Sequence, residues 1–433
     1  MTPSQDNVAA NRAALLDRVD EDEDHAFWWR ATGPSLGRLL AVSEYDPQDQ
    51  ARHLAWYRRF IPAALGPRPV AGTPALFQPC PVFDGSACEL STNFQERSTA
   101  HTVRFTIEAT GRDAGTPADP FNQNETARLL RAMAATGAVP GLALDHFDVF
   151  ADRFFFPPDR AQALLPRVPA RTPLSQVWVA FDLLRGGGVL AKVYFMPTLQ
   201  WVDRGVPTKD LVFAAARACG ECHGRYDEAI AMLDGYLVLG NGDGDAPPVV
   251  EMAAVDCLRS ADARIKVYLR TNANTLQRVK RLLTLGDRLA GPTINAGLEA
   301  LSELWPLLFR LDPPGDADAD ADVESGAASV AAWHNRVERA EVFPEGSYCG
   351  CAVEMRPGRS EPETKLHMPV RKIPGTDAQI CQSLASWFAK RGHAEFGASY
   401  QANLEQVLCV RPHSRFPSPP SLSVVAACPR MLS

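Results

Sequence analysis

The chain has 433 residues, 46% of them hydrophobic and 22% charged, and a formal net charge of −7. That composition suits a globular protein with a substantial core. It lacks the basic footprint of a nucleic-acid binder, and no apolar run reaches the roughly 18 residues of a membrane span.

The N-terminal stretch carries an acidic run and no hydrophobic signal core. A flexible acidic segment over 1–24 and a cytoplasmic location are the expectations. The ten cysteines are then mostly reduced, buried thiols. Residues 1–66 read as helical, because "GPSLGRLLAV" and "AWYRRFIPAALG" place apolar side chains at three- and four-residue spacing.

Four strands follow, each with one apolar and one basic or aromatic face. In "TVRFTIE", Arg104 opposes Val103, Phe105 and Ile107. In "LAKVYFM", Lys192 and Tyr194 oppose Ala191, Val193 and Phe195. In "RIKVYLR", Arg264, Lys266 and Tyr268 oppose Ile265, Val267 and Leu269. In "KLHMPVR", Lys365, His367 and Arg371 oppose Leu366, Met368 and Val370. Each strand has an upstream partner: "CELSTNF", "VWVAFDL", "VVEMAAVDCL" and "SYCGCAVEM". The stretches between are helical in pattern, so the chain repeats a hairpin followed by helices.

Helices can cover the apolar faces. Curling the sheet then turns the basic faces inward, and a barrel of about ten strands is wide enough for a ligand. The predicted fold is α+β: a ten-stranded antiparallel barrel with a solvated lumen and a jacket of α-helices, in one domain over 25–410. Arg104, Lys192, Arg264, Lys266 and Lys365 would meet inside it. Unpaired buried cations are costly and call for an anion, and several together suit a diphosphate. Tyr194 and Tyr268 follow two residues behind the lysines, where ring faces stabilise a carbocation.

Three other motifs attract attention. "CGECH" at 219–223 has the spacing of a c-type haem site. It lies between two helical stretches with Gly220 and Gly224 as breakers, and reads as a helix connector. "DADADADVE" at 316–324 reads as a solvated loop. "NGDGD" at 241–245 lacks the later glutamate of a calcium loop.

The motifs "PVFDGSACELSTNF", "VRFTIE", "AKVYFMP", "RIKVYLR", "TLGD" and "KLHMPVR", with the N-terminal "FWWRATGPSLGRLL", resemble the aromatic prenyltransferases of the dimethylallyltryptophan synthase family. The likeness runs in order from about residue 25 to about 405. It implies the ABBA barrel and metal-independent transfer of a dimethylallyl group from dimethylallyl diphosphate to an aromatic acceptor. The acceptor is either indole- or tryptophan-derived, or phenolic or polyketide, in the biosynthesis of a secondary metabolite.

On that likeness Arg104, Lys192, Arg264, Lys266 and Lys365 hold the diphosphate, and Tyr194, Tyr268 and His367 shield the allyl cation. Glu89 orients the acceptor, and Lys192 also takes its proton. No cofactor or metal is implied. The partners are the two small-molecule substrates, with no nucleic acid or membrane, in a monomer or homodimer.

Two departures stand out. His367 occupies a position where the family usually has Tyr, and a protonated imidazole would repel the cation. After "YQANLEQVL" the chain turns proline-rich, with Pro412, Pro417, Pro419, Pro420 and Pro429. Residues 411–433 are therefore an atypical segment in place of the last hairpin. That leaves an alternative reading of a non-catalytic or impaired ligand-binding barrel.

Overall fold

The structure, a computed structural model, describes residues 22–408 apart from 71, 74, 81–85, 96–97, 221–222, 240–245, 312–322 and 344–348. The acidic N-terminal segment, most of "DADADADVE", "NGDGD", Cys222 and the proline-rich C-terminus lie outside the described residues.

The chain opens with α1 (Glu23–Val42) and α2 (Pro47–Phe60). Asp46 caps α2 by accepting from the Gln48 and Asp49 N–H groups, with Pro47 in the first turn, where its missing N–H costs nothing. A hairpin follows, β1 (Cys88–Gln95) and β2 (Ser98–Ile107). Helices α3 (Asn124–Thr136), α4 (Asp145–Phe154) and α5 (Pro158–Leu164) lead to the second hairpin, β3 (Val177–Leu183) and β4 (Val189–Phe195).

The pattern then recurs. Helices α6 (Thr198–Arg204), α7 (Thr208–Arg217) and α8 (Asp227–Leu239) precede β5 (Val249–Asp256) and β6 (Ile265–Thr271). Helices α9 (Leu276–Leu283), α10 (Pro292–Phe309) and α11 (Val323–Arg339) precede β7 (Cys349–Met355) and β8 (Glu363–His367). The described chain ends in α12 (Asp377–Lys390) and α13 (Ala394–Leu408).

Among the described residues the strands form one eight-stranded antiparallel sheet in the order β1 to β8. All four predicted hairpins are present. A fifth would fall on 409–433, outside the described residues. The β3–β4 turn uses Gly186 and Gly187 at φ 84 and 83°, a region other residues enter only at a cost.

The sheet is curled. Tyr194 on β4 and Tyr268 on β6 have ring centroids 5.7 Å apart. Flat strands two apart would hold those positions about 9.6 Å from each other. Their side chains therefore converge on a concave face.

The convex face carries the core. Val103, Phe105, Val179, Phe181, Val193, Phe195, Val267 and Leu366 are fully buried against the helices. Tyr57 of α2 packs edge-on to Phe105 at 5.0 Å. Phe150 of α4 lies 5.4 Å from Phe195. Each such side chain contributes about 1.5–3 kcal/mol on burial, so this layer dominates the stability of the sheet. Cys349 and Cys351 alternate onto the same convex face as buried thiols, both pushed up to about 12 by burial.

The helical layer returns to its start, since α13 packs on both α12 and α1. No helix among the described residues is long and apolar enough to cross a membrane.

Candidate active site

Strand register places the predicted residues on one face. Residues directly opposite across neighbouring strands point the same way. One such row runs Glu89, Thr106, Ala180, Lys192, Asp256 across β1 to β5. The next runs Trp178, Tyr194, Ala254, Lys266, Glu354, Glu363 across β3 to β8. A third runs Met252, Tyr268, Ala352, Lys365. Arg104 stands opposite Asp182, and His367 opposite Gly350. All nine predicted side chains thus share the concave face. Arg371 does not: Pro369 ends the strand, and Arg371 is exposed in a single 3-10 turn.

The rows reveal an alternation. The second strand of each hairpin supplies cations: Arg104, Lys192, Lys266 with Arg264 beside it, and Lys365. The first strand supplies carboxylates: Glu89, Asp182, Asp256 and Glu354. The first strands also supply small residues, Ala180, Ala254, Ala352 and Gly350, which leave room for rings from the second strands to meet above them. Tyr194 contacts Tyr268, Tyr268 contacts His367 at 5.6 Å, and Trp178 continues the strip at 6.5 Å from Tyr194.

The expectation that the cations lack partners is corrected by these carboxylates. Lys192 Nζ lies 2.5 Å from Asp182 Oδ2. Arg104 Nε approaches Asp182 Oδ1 to 3.1 Å without meeting hydrogen-bond geometry. Arg264 donates to Asp256 through Nε, and its Nη1 lies 3.3 Å from Glu354. Lys266 and Lys365 sit 3.6 and 3.7 Å from Glu354. Arg356, which sequence reading missed, donates to Glu354 at 2.7 Å. Fixed pairs of this kind spare the cations the cost of standing unpaired. On this face the cations Arg104, Lys192, Arg264, Lys266, Lys365 and Arg356 thus interleave with the carboxylates Glu89, Asp182, Asp256, Glu354 and Glu363.

Burial and neighbouring charges tune these groups. Burial pulls Lys192 down to about 7, opposed by the Asp182 charge and aided by Arg104 and Lys266. Burial, then the charges of Lys365 and Lys266, hold His367 down to about 4. The imidazole is therefore neutral near pH 7, which removes the repulsion expected of a protonated one. Burial pushes Tyr194 up to about 12, with the Asp182 and Glu89 charges adding to it, and keeps the phenol protonated. For Glu354 burial works upward, but Lys266, Lys365, Arg264 and Arg356 outweigh it and hold the carboxyl down to about 2.

"CGECH" takes no part in this face. Cys219 is buried in the helical core, and its thiol donates to the Ala215 carbonyl at 3.6 Å. Gly224, at φ 77°, lies in the link between α7 and α8.

A cation belt beside an aromatic strip thus lines the concave face of a curled antiparallel sheet jacketed by helices. A model of the tryptophan dimethylallyltransferase family matches residues 24–403. The chain is 33% identical over 389 residues to a prenyltransferase, iacE, of Pestalotiopsis fici, covering 89% of this chain and 83% of that one. It is 31% identical to a 7-dimethylallyltryptophan synthase of Aspergillus fumigatus, covering 90% and 79%. Among solved structures it resembles AnaPT from Neosartorya fischeri, with a TM-score of 0.74, 22% identity and coverage of 92% and 88%. The complex of NotF with brevianamide F and DMSPP gives 0.75, 22%, and 94% and 91%.

The chain belongs to the tryptophan dimethylallyltransferase family and is an aromatic prenyltransferase.

Proposed function

We propose that the protein moves a dimethylallyl group from dimethylallyl diphosphate to an indole- or tryptophan-type acceptor, with the site residues acting as follows. Arg104, Lys192, Arg264, Lys266 and Lys365 hold the diphosphate. Charge builds on it as the allylic C–O bond breaks and both electrons leave with oxygen, and the cations Arg104, Arg264, Lys266 and Lys365 stabilise that change, with Lys192 contacting it as an amine N–H donor. Tyr194, Tyr268 and His367 flank the allyl cation with uncharged ring faces and keep water from it.

Glu89 accepts a hydrogen bond from the acceptor N–H, which orients the ring and enriches its electrons. An aromatic carbon then forms the new C–C bond. The ring loses its proton to the Lys192 amine, which becomes an ammonium. With Lys192 near 7 the amine form is available at neutral pH.

The observation that carries this reading is the cation belt set directly beside the Tyr194–Tyr268–His367 strip. The acceptor class draws support from relatives described as a 7-dimethylallyltryptophan synthase and an indole diterpene prenyltransferase. A relative at 25% identity is described as a xanthone prenyltransferase, so phenols belong in the test.

Protein is incubated with dimethylallyl diphosphate, EDTA and a panel of indoles and phenolic polyketides. Gain of one prenyl unit on an indole despite EDTA is the expected result. Diphosphate binding with no product on any acceptor would leave a binding barrel instead.

A further inference from the structure

The cations of the belt are not held alike. Arg264 is fixed by Asp256, and Arg356 is hydrogen-bonded to Glu354. Lys266 and Lys365 approach Glu354 only to 3.6 and 3.7 Å, beyond hydrogen-bond distance. Among the described residues neither ammonium makes a side-chain hydrogen bond. Each has three N–H donors to offer. A diphosphate oxygen accepts such donors at about 2.7–2.9 Å, a shorter and stronger contact than the one they have.

Glu354 itself has nowhere to go. Its side chain is 1% exposed, Arg356 grips Oε1, and the four surrounding cations keep it ionised. It faces the lysines as a permanent negative charge. A site that bound diphosphate with every cation unopposed would hold the released diphosphate, which carries more charge than the donor's, more tightly still, and its departure would limit turnover.

We propose that Glu354 is a positioning residue for the transfer reaction: a resident counter-anion that competes with the donor's diphosphate for Lys266 and Lys365, weakening its grip and speeding its release, while Arg356 holds the carboxylate in place. This rests on the reading of the lumen as a prenyl-diphosphate site. Arg264, tied to Asp256, and Lys192, tied to Asp182, are fixed members of the belt, and the two lysines beside Glu354 are the exchangeable ones. A purely structural glutamate predicts the opposite outcome, because its loss would loosen the lysines and weaken anion binding.

The test is calorimetric titration of Glu354→Gln with inorganic diphosphate, beside single- and multiple-turnover transfer rates. The expected result is a Kd lowered by roughly tenfold, about 1.4 kcal/mol. Multiple-turnover rates should fall more than single-turnover rates. If the glutamine variant does not fold, Glu354→Asp withdraws the charge by one methylene, and a smaller tightening is expected. Unchanged or weakened diphosphate binding in whichever variant folds overturns the proposal, and the prenyl-transfer reading stands if the wild type still forms product. A wild type that neither binds diphosphate nor forms product overturns both.

Discussion

Lys192 Nζ and Asp182 Oδ2 face each other at 2.5 Å from adjacent strands, with side chains 5% and 8% exposed. The pair sets the proton affinity of the amine: burial pulls it down, and the carboxylate pulls it up. Asp182→Asn removes only the upward pull. The proton affinity of Lys192 then drops, by about one unit or more. The amine works as a base above its pKa, so the acid limb of the kcat/KM profile should move to lower pH in the variant. A profile over the neutral range measures this, with a thermal melt to confirm folding. An unmoved limb would show that Lys192 is not the titrating base.

The chemistry of that pair was only half legible in the sequence. Period-two alternation identified the second strand of every hairpin and put Lys192, Lys266 and Lys365 on one face with the tyrosines. The partner strands read as mainly apolar, and Asp182 in "VWVAFDL", Asp256 in "VVEMAAVDCL" and Glu354 in "SYCGCAVEM" do not stand out in that pattern. The signal was present, since Asp182, Asp256 and Glu354 stand opposite Arg104, Lys192 and Lys266 of the preceding hairpin. Seeing it requires the register between successive hairpins, which neither a hairpin turn nor alternation along one strand sets. Arg371 failed for a local reason, because Pro369 cannot continue the ladder. His367 was placed correctly, but its charge depends on burial and on Lys365 and Lys266, which no local pattern encodes.

Glu89 lies on β1, the edge strand among the described residues, opposite Thr106 and in the row of Lys192. Its assigned partner is the acceptor, not the donor. Glu89→Gln should cut the transfer rate by about 10²–10⁴, the range of a lost proton-handling or orienting group. Affinity for inorganic diphosphate should stay near that of wild type. Comparable losses in donor and acceptor binding would instead make Glu89 part of the belt's ion-pair frame.

His367 closes one end of the aromatic strip and is uncharged near pH 7. If it shields the cation, its removal admits water. His367→Ala should raise dimethylallyl alcohol relative to prenylated acceptor several-fold, while His367→Tyr restores the low ratio. Product analysis by mass spectrometry reads both. A ratio that stays constant in the alanine variant would exclude His367 from the shield.

Glu108 stands at the end of β2, on the concave face beyond Thr106. The Ser175 hydroxyl donates to its Oε2 at 2.7 Å and the Cys80 N–H at 3.0 Å. Burial nonetheless pushes its carboxyl from the usual 4.5 up to about 7. A carboxyl with a raised folded pKa favours the folded state in its protonated form. That stability is fully present below 4.5 and is lost as pH rises through about 7. Glutamine keeps an oxygen for both donors and cannot ionise. The melting temperature of Glu108→Gln relative to wild type should therefore climb as pH rises from about 5 to about 8, by an amount equivalent to at most about 3 kcal/mol. Differential scanning measurements at several pH values give the curve. A constant difference between the two proteins would mean that Glu108 does not change protonation across this range.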